Sequence, residues 1–239
     1  MFAAIIKDQY RAKDAEDGKT TFHIAIMPCT AKKMEATRDE FKHDGKPDVD
    51  LVLTTREVIN MIKEAGIQFA EIEGEAPDLP FGMDTGSAMI FGTTGGVAEA
   101  VARRVVADKS KNAMQAIQFS GLRDTDGIRE VSLPVGDQVL HIAVVHGLIN
   151  AKKLLADIEA GSVYYDLIEV MTCKTGCVGG AGQPYGLLPV KHQRSAGLYE
   201  ADRTSLIKRS ESNPIATDML EGMLKGRTHE LLHVNYKNG

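Results

Sequence analysis

Tryptophan is absent from this sequence, and aromatic residues make up only 5% of its 239 residues. No apolar run approaches the roughly 20 residues that a membrane-spanning helix needs. The N-terminus has only a short apolar patch before it turns charged, which is not the pattern of a signal peptide. Positive charge is not in excess either, because the formal net charge is −5. We therefore expect a cytoplasmic protein without a membrane span, and a partner other than nucleic acid, since phosphate binding needs a basic face.

Cysteine is also scarce, with three residues in the whole sequence. Three cysteines without an export signal do not make a disulfide framework, and pairing would leave one over. Metal binding or thiol catalysis is the better expectation. The composition, 43% hydrophobic and 26% charged, is that of a globular chain that can bury a core.

Short apolar runs alternate with helical patterns along most of the chain. This alternation predicts an α/β fold class, with mostly parallel sheets flanked by helices and a polar, helical C-terminal arm. The predicted strands lie at 21–29, 49–53, before Gly92, at the start of 138–161, and at 164–173. Because sites in open α/β sheets collect at the carboxyl ends of strands, Cys29, Gly92 and Cys173 are candidate site positions.

Several helix boundaries carry specific signals. A helix is predicted over 30–41, and a second begins where Thr54 and Glu57 have the spacing of a capping box and ends before Gly66. In the terminal arm, Asn213-Pro214 predicts a helix start and Gly226 a helix stop. The segment Glu71–Ser87, rich in proline and glycine, predicts a loop.

The stretch EVMTCKTGCVGGAGQP, from Glu169 to Pro184, holds Cys173 and Cys177 four residues apart among glycines. Thiolates near the backbone N–H groups of a glycine-rich loop suit an iron–sulfur cluster, whose sulfurs accept hydrogen bonds. A structural zinc site usually takes two closely spaced pairs of ligands, and only one pair is present. The alternative is that the two cysteines pack as small apolar residues.

The third cysteine lies in HIAIMPCTAKKMEA, where Cys29 follows Pro28 and precedes Lys32, Lys33 and Glu35. Nearby ammonium groups lower the pKa of a thiol and neutralise an anionic cofactor. Taken alone, however, Cys29 is better explained as a lone buried cysteine beside a solvated helix face.

Together these motifs resemble the iron-only (FeFe) hydrogenases. MPCTAKKMEA and EVMTCKTGCVGGAGQP are similar to the second and third cluster-binding motifs of that family, and IFGTTGGVAEA is similar to the glycine-rich turn between them. TTREVINMIKEAGI also matches the catalytic domain, and RSAGLYEADRTSLIKRSESNP with HELLHVNY matches the small-subunit-like tail. The resemblance implies a partial large-subunit-like catalytic domain over residues 1–190 and a small-subunit-like helical tail over residues 191–239.

The resemblance also implies a cofactor, the H-cluster. It consists of a 4Fe–4S cubane bridged through one cysteine to a diiron subsite with CO, cyanide and a dithiolate bridge. Cys29 and Cys173 match cubane ligands, Cys177 matches the bridging cysteine, and Lys32 matches a lysine that hydrogen-bonds a cyanide. Glu35 matches an acidic residue proposed to relay protons, but a solvated helix glutamate is the preferred interpretation. The remaining matched positions, which line the cofactor, are Met27, Phe91, Gly92, Thr94 and Met171; core packing is the alternative for the two methionines.

The sequence departs from the family in two ways. The family's first motif, around Thr-Ser-Cys-Cys-Pro, has no counterpart in this sequence, so we expect the fourth cubane ligand to come from elsewhere. Three explanations stay open: a split hydrogenase whose partner chain carries the first motif, a fragment, or a chain that works alone with a three-cysteine cubane and another fourth ligand. We expect a heteromer, or a homo-oligomer that hides the exposed face. In the third motif, Lys174-Thr175 stands where Pro-Gly is common, Ala181 where glycine is common, and Thr172 where a small residue is common.

The expected function is a ferredoxin-type hydrogenase subunit or core, which oxidises H2 reversibly to protons and electrons. Ferredoxin or an iron–sulfur subunit would exchange the electrons. The alternatives are a hydrogen or redox sensor on the same fold, a protein like the cytosolic iron–sulfur assembly factors, or an inactive fragment.

Overall fold

The computed structural model describes residues 1–76, 78, 84–124 and 126–234. Its α-helices are α1 (Phe2–Asp17), α2 (Ala31–Glu35), α3 (Thr55–Glu64), α4 (Gly86–Met89), α5 (Gly96–Val105), α6 (Lys111–Gln118), α7 (Leu148–Glu159), α8 (Leu188–Thr204), α9 (Pro214–Glu221) and α10 (Thr228–Leu232). Its strands are β1 (Ile24–Met27), β2 (Lys42–His43), β3 (Lys46–Pro47), β4 (Leu51–Thr54), β5 (Ile128–Val135), β6 (Gln138–His146) and β7 (Leu167–Met171). Within the described ranges, no helix combines the length and the apolar character needed to cross a bilayer.

The chain divides into two compact units. Unit 1 comprises Met1–Pro77, Ala181–Pro184 and Asp218–Gly239, and unit 2 comprises Asp78–Gly180 and Tyr185–Thr217. The α/β class expected from the sequence is confirmed. The predicted helical tail is also confirmed, and its residues are divided between the two units.

Unit 1 is built on a parallel pair of strands, β1 and β4, with Ala25 opposite Val52. These two residues are both buried, whereas Ile24 beside them is exposed, as expected for alternation along a strand. A short antiparallel pair, β2 and β3, stands apart from this sheet. In the same unit, the guanidinium of Arg227 makes two 2.9 Å hydrogen bonds to Asp8, and so joins the start of α10 to α1.

The capping box predicted at the start of α3 is confirmed. The Thr54 hydroxyl accepts from the Glu57 amide at 3.3 Å, and a Glu57 carboxylate oxygen accepts from the Thr54 amide at 2.7 Å. This backbone donor, together with the Lys33 ammonium, lowers the pKa of Glu57 to about 2. Gly66 follows the helix in a left-handed conformation, with φ of 70°, as predicted.

Unit 2 is centred on a three-stranded sheet in the order β5-β6-β7, where β6 pairs antiparallel with β5 and parallel with β7. The second half of β6, residues 142–146, is buried on both faces, which explains the apolar run Ile142–Val145. Ile142 and Val144 pack with residues of α5, α6 and β5, and Ala143 and Val145 pack with residues of α7.

Two predictions of secondary structure were wrong in detail. The apolar run before Gly92 was predicted as a strand, but it forms α4 followed by a 3-10 turn, Ile90–Gly92. The hydroxyl of Thr85 caps this helix by accepting from the Ala88 amide. The helix predicted over 30–41 is shorter, because α2 ends at Glu35 and a 3-10 turn follows at Asp39–Phe41. The loop predicted at Glu71–Ser87 lies partly outside the described residues, and its last two residues, Gly86 and Ser87, begin α4.

A buried ion-pair network joins α8 to α5 inside unit 2. The guanidinium of Arg103 donates to both carboxylate oxygens of Asp202, at 2.8 and 2.7 Å, and to Glu99 at 2.5 Å. Arg123 bridges the same two carboxylates, at 2.7 Å to Glu99 and 3.0 Å to Asp202, and lies over the Tyr199 ring at 4.3 Å. Burial alone would raise the pKa of Asp202, but the two arginines hold it below its ordinary value. The first helix of the tail is therefore part of the core of unit 2.

Candidate metal centre

Cys29 lies in unit 1, two residues beyond the end of β1, and is half-buried. The backbone before it is fixed by Gly182, whose amide donates to the Pro28 carbonyl at 3.0 Å. A Cβ at position 182 would lie 2.8 Å from the carbonyl carbon of Pro28 and 2.9 Å from the Cys29 nitrogen. This close backbone approach explains why glycine stands at position 182.

The side chains of Lys32 and Lys33, both in α2, contact different partners. The Lys32 ammonium lies 2.5 and 2.6 Å from the two carboxylate oxygens of Glu35, and both side chains are about 40% exposed. The Lys33 ammonium instead donates to the Val52 carbonyl at 2.8 Å and to Glu57 at 3.0 Å. Glu35 is therefore the ion-pair partner of Lys32 on an exposed face of α2, and its role as a proton relay stays a prediction.

Cys173 and Cys177 lie in unit 2, in a tight loop that follows β7. The Gly176 amide donates to the Cys173 carbonyl at 3.1 Å, and the Gly180 amide donates to the Cys177 carbonyl at 2.9 Å. A 3-10 turn spans Cys177–Gly179. Both thiols are half-buried, and neither is in a disulfide. The loop therefore presents two sulfurs from one short, internally hydrogen-bonded segment.

Thr175 occupies an unusual backbone conformation in this loop. Its φ is +69°, in the left-handed region that β-branched residues rarely adopt. Gly176 follows with φ of +87°. Glycine is common at the position of Thr175 in the family that the sequence resembles. The positive φ gives the physical reason, because glycine adopts this conformation without strain.

The cysteine loop rests on the glycine-rich turn before α5. The Thr94 amide donates to the Thr175 carbonyl at 3.2 Å. A Cβ at Gly176 would lie 2.6 Å from the Thr94 nitrogen and would also meet the carbonyl oxygen of Gly92, at 3.0 Å. The structure thus brings Gly92 and Thr94 against the loop, while Phe91 leaves 45% of its surface exposed.

Two buried side chains that the sequence analysis missed hold this turn in place. The carboxylate of Glu169, in β7, accepts from the Gly95 amide at 2.6 Å and from the Ala98 amide at 2.8 Å, and so caps the N-terminus of α5. Arg129 donates to the Thr94 hydroxyl at 3.0 Å, and burial lowers its pKa. The signal for Glu169 was available, because a carboxylate inside an apolar strand pattern needs a partner.

The remaining predicted positions, Met27 and Met171, are half-buried at the ends of β1 and β7. Their roles as cofactor-lining residues stay predictions. Among the residues that the structure describes, no three His, Cys, Asp or Glu side chains converge to hold a single metal ion. A four-iron cluster makes a different demand, because each thiolate binds its own iron.

The loop of Cys173 and Cys177 in unit 2 therefore suits an iron–sulfur cluster better than a single ion. The three cysteines are half-buried thiols outside disulfides, and the loop that carries Cys173 and Cys177 is shaped by a glycine that no other residue could replace without a clash.

Comparison with known families decides the assignment. The family model described as "Iron only hydrogenase large subunit, C-terminal domain" matches residues 1–181, and the model described as "Iron hydrogenase small subunit" matches residues 189–239. This chain belongs to the iron-only hydrogenase family. Whether the boundary predicted at residue 190 separates two domains stays a prediction.

Curated relatives include hydrogenases and iron–sulfur assembly factors. The NADP-reducing hydrogenase subunit HndD of Solidesulfovibrio fructosivorans is 39% identical over 99% of this chain, and iron hydrogenase 1 of Clostridium pasteurianum is 36% identical over 99%. The cytosolic Fe-S cluster assembly factor narfl of Xenopus tropicalis is 28% identical over 99%. This chain spans 41%, 43% and 52% of the lengths of those three relatives.

Solved structures support the same family. The FeFe-hydrogenase HydA1 from Chlamydomonas reinhardtii matches with a TM-score of 0.75 at 32% identity. The match covers 98% of this chain and 67% of the HydA1 chain. About a third of that solved chain therefore has no counterpart in the present hydrogenase sequence.

Proposed function

We propose that this chain forms part of the catalytic core of an iron-only hydrogenase, in which Cys29, Cys173 and Cys177 bind a 4Fe–4S cluster. Cys177 would also bridge to a diiron subsite with CO, cyanide and a dithiolate. When bound, this H-cluster would supply the redox chemistry that interconverts H2 with two protons and two electrons. The observation that carries the proposal is the loop of Cys173 and Cys177, in which Gly176 packs closely against the backbone of Thr94.

The chain's own charged residues would then serve an anionic ligand and its protons. The Lys32 ammonium would donate to a cyanide, which is a strong charge-assisted contact in a site that excludes water. Glu35 holds that ammonium on the surface of α2 at 2.5 Å. By its match to the family's acidic residue, Glu35 would relay protons beside that ammonium.

The fourth cluster ligand would come from outside the 239 residues, either from the same polypeptide or from a partner chain. Two relatives support a multi-chain arrangement, because their names are those of subunits: HndD, and the periplasmic iron hydrogenase large subunit of Nitratidesulfovibrio vulgaris, 40% identical over 83% of this chain. Ferredoxin or an iron–sulfur subunit would exchange the electrons. The cytoplasmic location stays a prediction.

An iron–sulfur assembly role is the second candidate, because relatives named as assembly factors match 99% of this chain at 28–30% identity. The hydrogenases are closer, at 36–40% identity. A hydrogen or redox sensor and an inactive fragment are the other two possibilities, and both are separable by experiment.

The test is to produce the chain anaerobically with hydrogenase maturation enzymes, and to measure iron and the infrared bands of metal-bound CO and cyanide. Bands together with H2 turnover support the proposal, and bands without turnover identify a sensor. Iron without bands points to a bare cluster, and so to a missing partner chain or a non-hydrogenase role such as assembly, and absence of iron identifies an inactive fragment.

Two substitutions assign the residues within that experiment. Cys177→Ser should remove the CO and cyanide bands, and unchanged bands would sink the bridging role. Lys32→Ala should lower the intensity of the bands several-fold. Lys33→Ala is the matched control, because it removes the same charge from the same helix, but Lys33 contacts Val52 and Glu57 instead. Equal losses in the two lysine variants would contradict a specific cyanide contact.

A further inference from the structure

A cavity of about 540 Å³ lies in unit 2. It is lined by α6, by residues at or just after the C-terminal ends of α5 and α8, and by the segment that follows α8. Pockets that bind small molecules have volumes of about 300–1,000 Å³. None of the described lining residues belongs to the cysteine loop or to the glycine-rich turn before α5. The function proposed above therefore gives this cavity no role.

Positive charge dominates the wall of the cavity. None of the lining residues that the structure describes is acidic, whereas six are cationic: Arg103, Lys109, Lys111, Arg203, Lys208 and Arg209. The three arginines are each paired with a carboxylate, but within the described chain the three lysines are in no ion pair. The cavity thus has an excess of ammonium groups.

Two of these lysines are held at helix ends. The Lys109 ammonium donates to the carbonyls of Arg103 and Arg104 at 3.0 and 2.8 Å, in the last turn of α5. The Lys208 ammonium donates in the same way to two carbonyls in the last turn of α8. Because the last carbonyls of a helix lack partners within it, these contacts explain where the two ammoniums lie. An ammonium has three N–H donors, so one donor of each lysine is left for a ligand.

Lys111 adds a third ammonium that no such contact explains. It is the first residue of α6, where positive charge is unfavourable because the N-terminus of a helix is itself positive. The nearest carboxylate in sequence, that of Asp108, accepts instead from the Ser110 amide and hydroxyl, at 2.8 and 3.0 Å. Burial, and after it the guanidinium of Arg209, lowers the pKa of Lys109. Positive charge is therefore crowded here, and a bound anion would relieve the repulsion.

The rest of the wall suits the organic part of a ligand. Met114, Leu206 and Ile207 supply apolar surface, and Leu206 is 87% exposed. Gln115 and Gln118 of α6 add carboxamides, which both donate and accept hydrogen bonds. An inorganic anion alone would leave this part of the wall without a contact.

We propose that this cavity binds a phosphate ester of about nucleotide size, with its phosphates among Lys109, Lys111 and Lys208 and its organic part against Met114 and Leu206. Three ammoniums suit a group with several charged oxygens, which a phosphate has and a single carboxylate lacks. The ligand would tie the ends of α5 and α8 together. Since the ten residues of α5 span about 15 Å, this ligand would also steady the helix that begins at the glycine-rich turn under the cysteine loop.

The test uses the full chain and three probes: ADP, pyrophosphate and adenosine. Binding is measured by isothermal titration calorimetry, and Tm by circular dichroism. We expect ADP to bind at least about tenfold more tightly than either of the other two probes. ADP should also raise Tm, because a ligand that binds only the folded chain stabilises it. Absence of ADP binding, or an equal affinity for pyrophosphate, overturns the inference.

Lys111→Glu tests the charged side of the cavity. It should weaken ADP binding at least about tenfold, because a repulsive charge replaces an attractive one. The variant should fold, since a glutamate in the first turn of a helix is favoured by the helix dipole. The matched control is Lys152→Glu on α7 of unit 2, which makes the same change of charge outside the cavity. Equal losses in the two variants would show a general attraction of anions and would overturn the inference.

Leu206→Ser tests the apolar side. It should weaken the binding of ADP and leave the binding of pyrophosphate unchanged, and its exposure means that the fold does not depend on it. Unchanged ADP binding overturns the placement of the organic part. None of these readouts needs iron or H2, so a chain that binds ADP but shows no CO or cyanide bands refutes only the proposed function.

Discussion

Asp202 is the carboxylate on which the two arginines of the unit 2 network converge, and its removal gives a sharp test of the structure. Asp202→Ala removes two hydrogen bonds from Arg103, at 2.8 and 2.7 Å, and one from Arg123, at 3.0 Å. Arg103 is 1% exposed, so its guanidinium cannot replace them with water. Glu99 still pairs with it at 2.5 Å, which limits the loss.

The expected cost follows from breaking one side of a buried ion pair, which destabilises proteins by about 3–5 kcal/mol. Because Glu99 remains as a partner, we expect the lower end, about 3 kcal/mol in the free energy of unfolding. For a chain of this size, that loss corresponds to a fall in Tm of about 6–12 °C. Thermal unfolding followed by circular dichroism measures it directly. Hydrogen exchange should show that α8 and α5 lose protection together.

Glu200→Ala is the matched control, since Glu200 lies on the same helix and pairs with Arg203, but both side chains are mostly exposed. Exposed ion pairs contribute little, so the Tm of this variant should stay at the wild-type value. If Asp202→Ala unfolds at the same temperature as Glu200→Ala, the network does not stabilise unit 2 and the reasoning fails.

The other predictions concern the cysteine loop and the cap of α3. Gly176→Ala should lower both Tm and iron loading, because the added Cβ would lie 2.6 Å from a backbone nitrogen. Gly161→Ala is the control: Gly161 has a φ of +68° and open space around it, so this variant should change Tm alone. Equal iron loading in the two variants would contradict the clash. Thr175→Gly should raise stability by about 1 kcal/mol in chemical denaturation by relieving a positive φ, and a loss would contradict the strain. Glu57 has a pKa of about 2 in the folded chain against 4.5 ordinarily, so its contribution is complete above pH 4.5 and is lost as the pH falls toward 2. Glu57→Gln should flatten that part of the acid unfolding curve, and an unchanged curve would rule out the cap as its source.

Much of the fold could be predicted because local signals and burial agree. The capping box of Thr54 and Glu57 fixes the start of α3, and the Asn213 carboxamide accepts from the Ile215 amide at 3.1 Å at the predicted start of α9. The left-handed conformation of Gly66, with φ of 70°, matches the predicted stop of α3. The stop predicted at Gly226 was wrong, because α9 already ends at Glu221. Each of the confirmed features depends on residues within a few positions of one another.

The missed features depend on contacts between distant residues. Strand β5, Ile128–Val135, was not predicted, and its antiparallel pairing with β6 makes the sheet mixed. The run before Gly92 reads as apolar, but the Thr85 cap and the close approach of Asp202 to Gly86 make it a helix. A Cβ at Gly86 would lie 2.1 Å from the Asp202 carboxylate, a constraint that becomes visible only in three dimensions.

In the candidate site, too, local motifs could be predicted and contacts with distant residues could not. The motifs that contain Cys29, Cys173 and Cys177 are readable as sequence, and the resemblance they carry led to the correct family. The ion pair between Lys32 and Glu35 could not be predicted, because their spacing is equally compatible with two separately solvated side chains on a helix face. The buried position of Glu169 was also missed, since its amide partners lie more than 70 residues earlier in the sequence.

The Glu169 cap has a consequence for strand register. Glu169 lies in β7, the strand that leads into the cysteine loop, and its carboxylate is held by the amides of Gly95 and Ala98. A slip of β7 by one residue would turn this carboxylate to the opposite face of the sheet and leave both amides without their acceptor. The slip would also carry Cys173 along the sheet by about 3.3 Å. The side chain that caps α5 therefore also fixes the register of β7, and with it the position of the cysteine loop along the sheet.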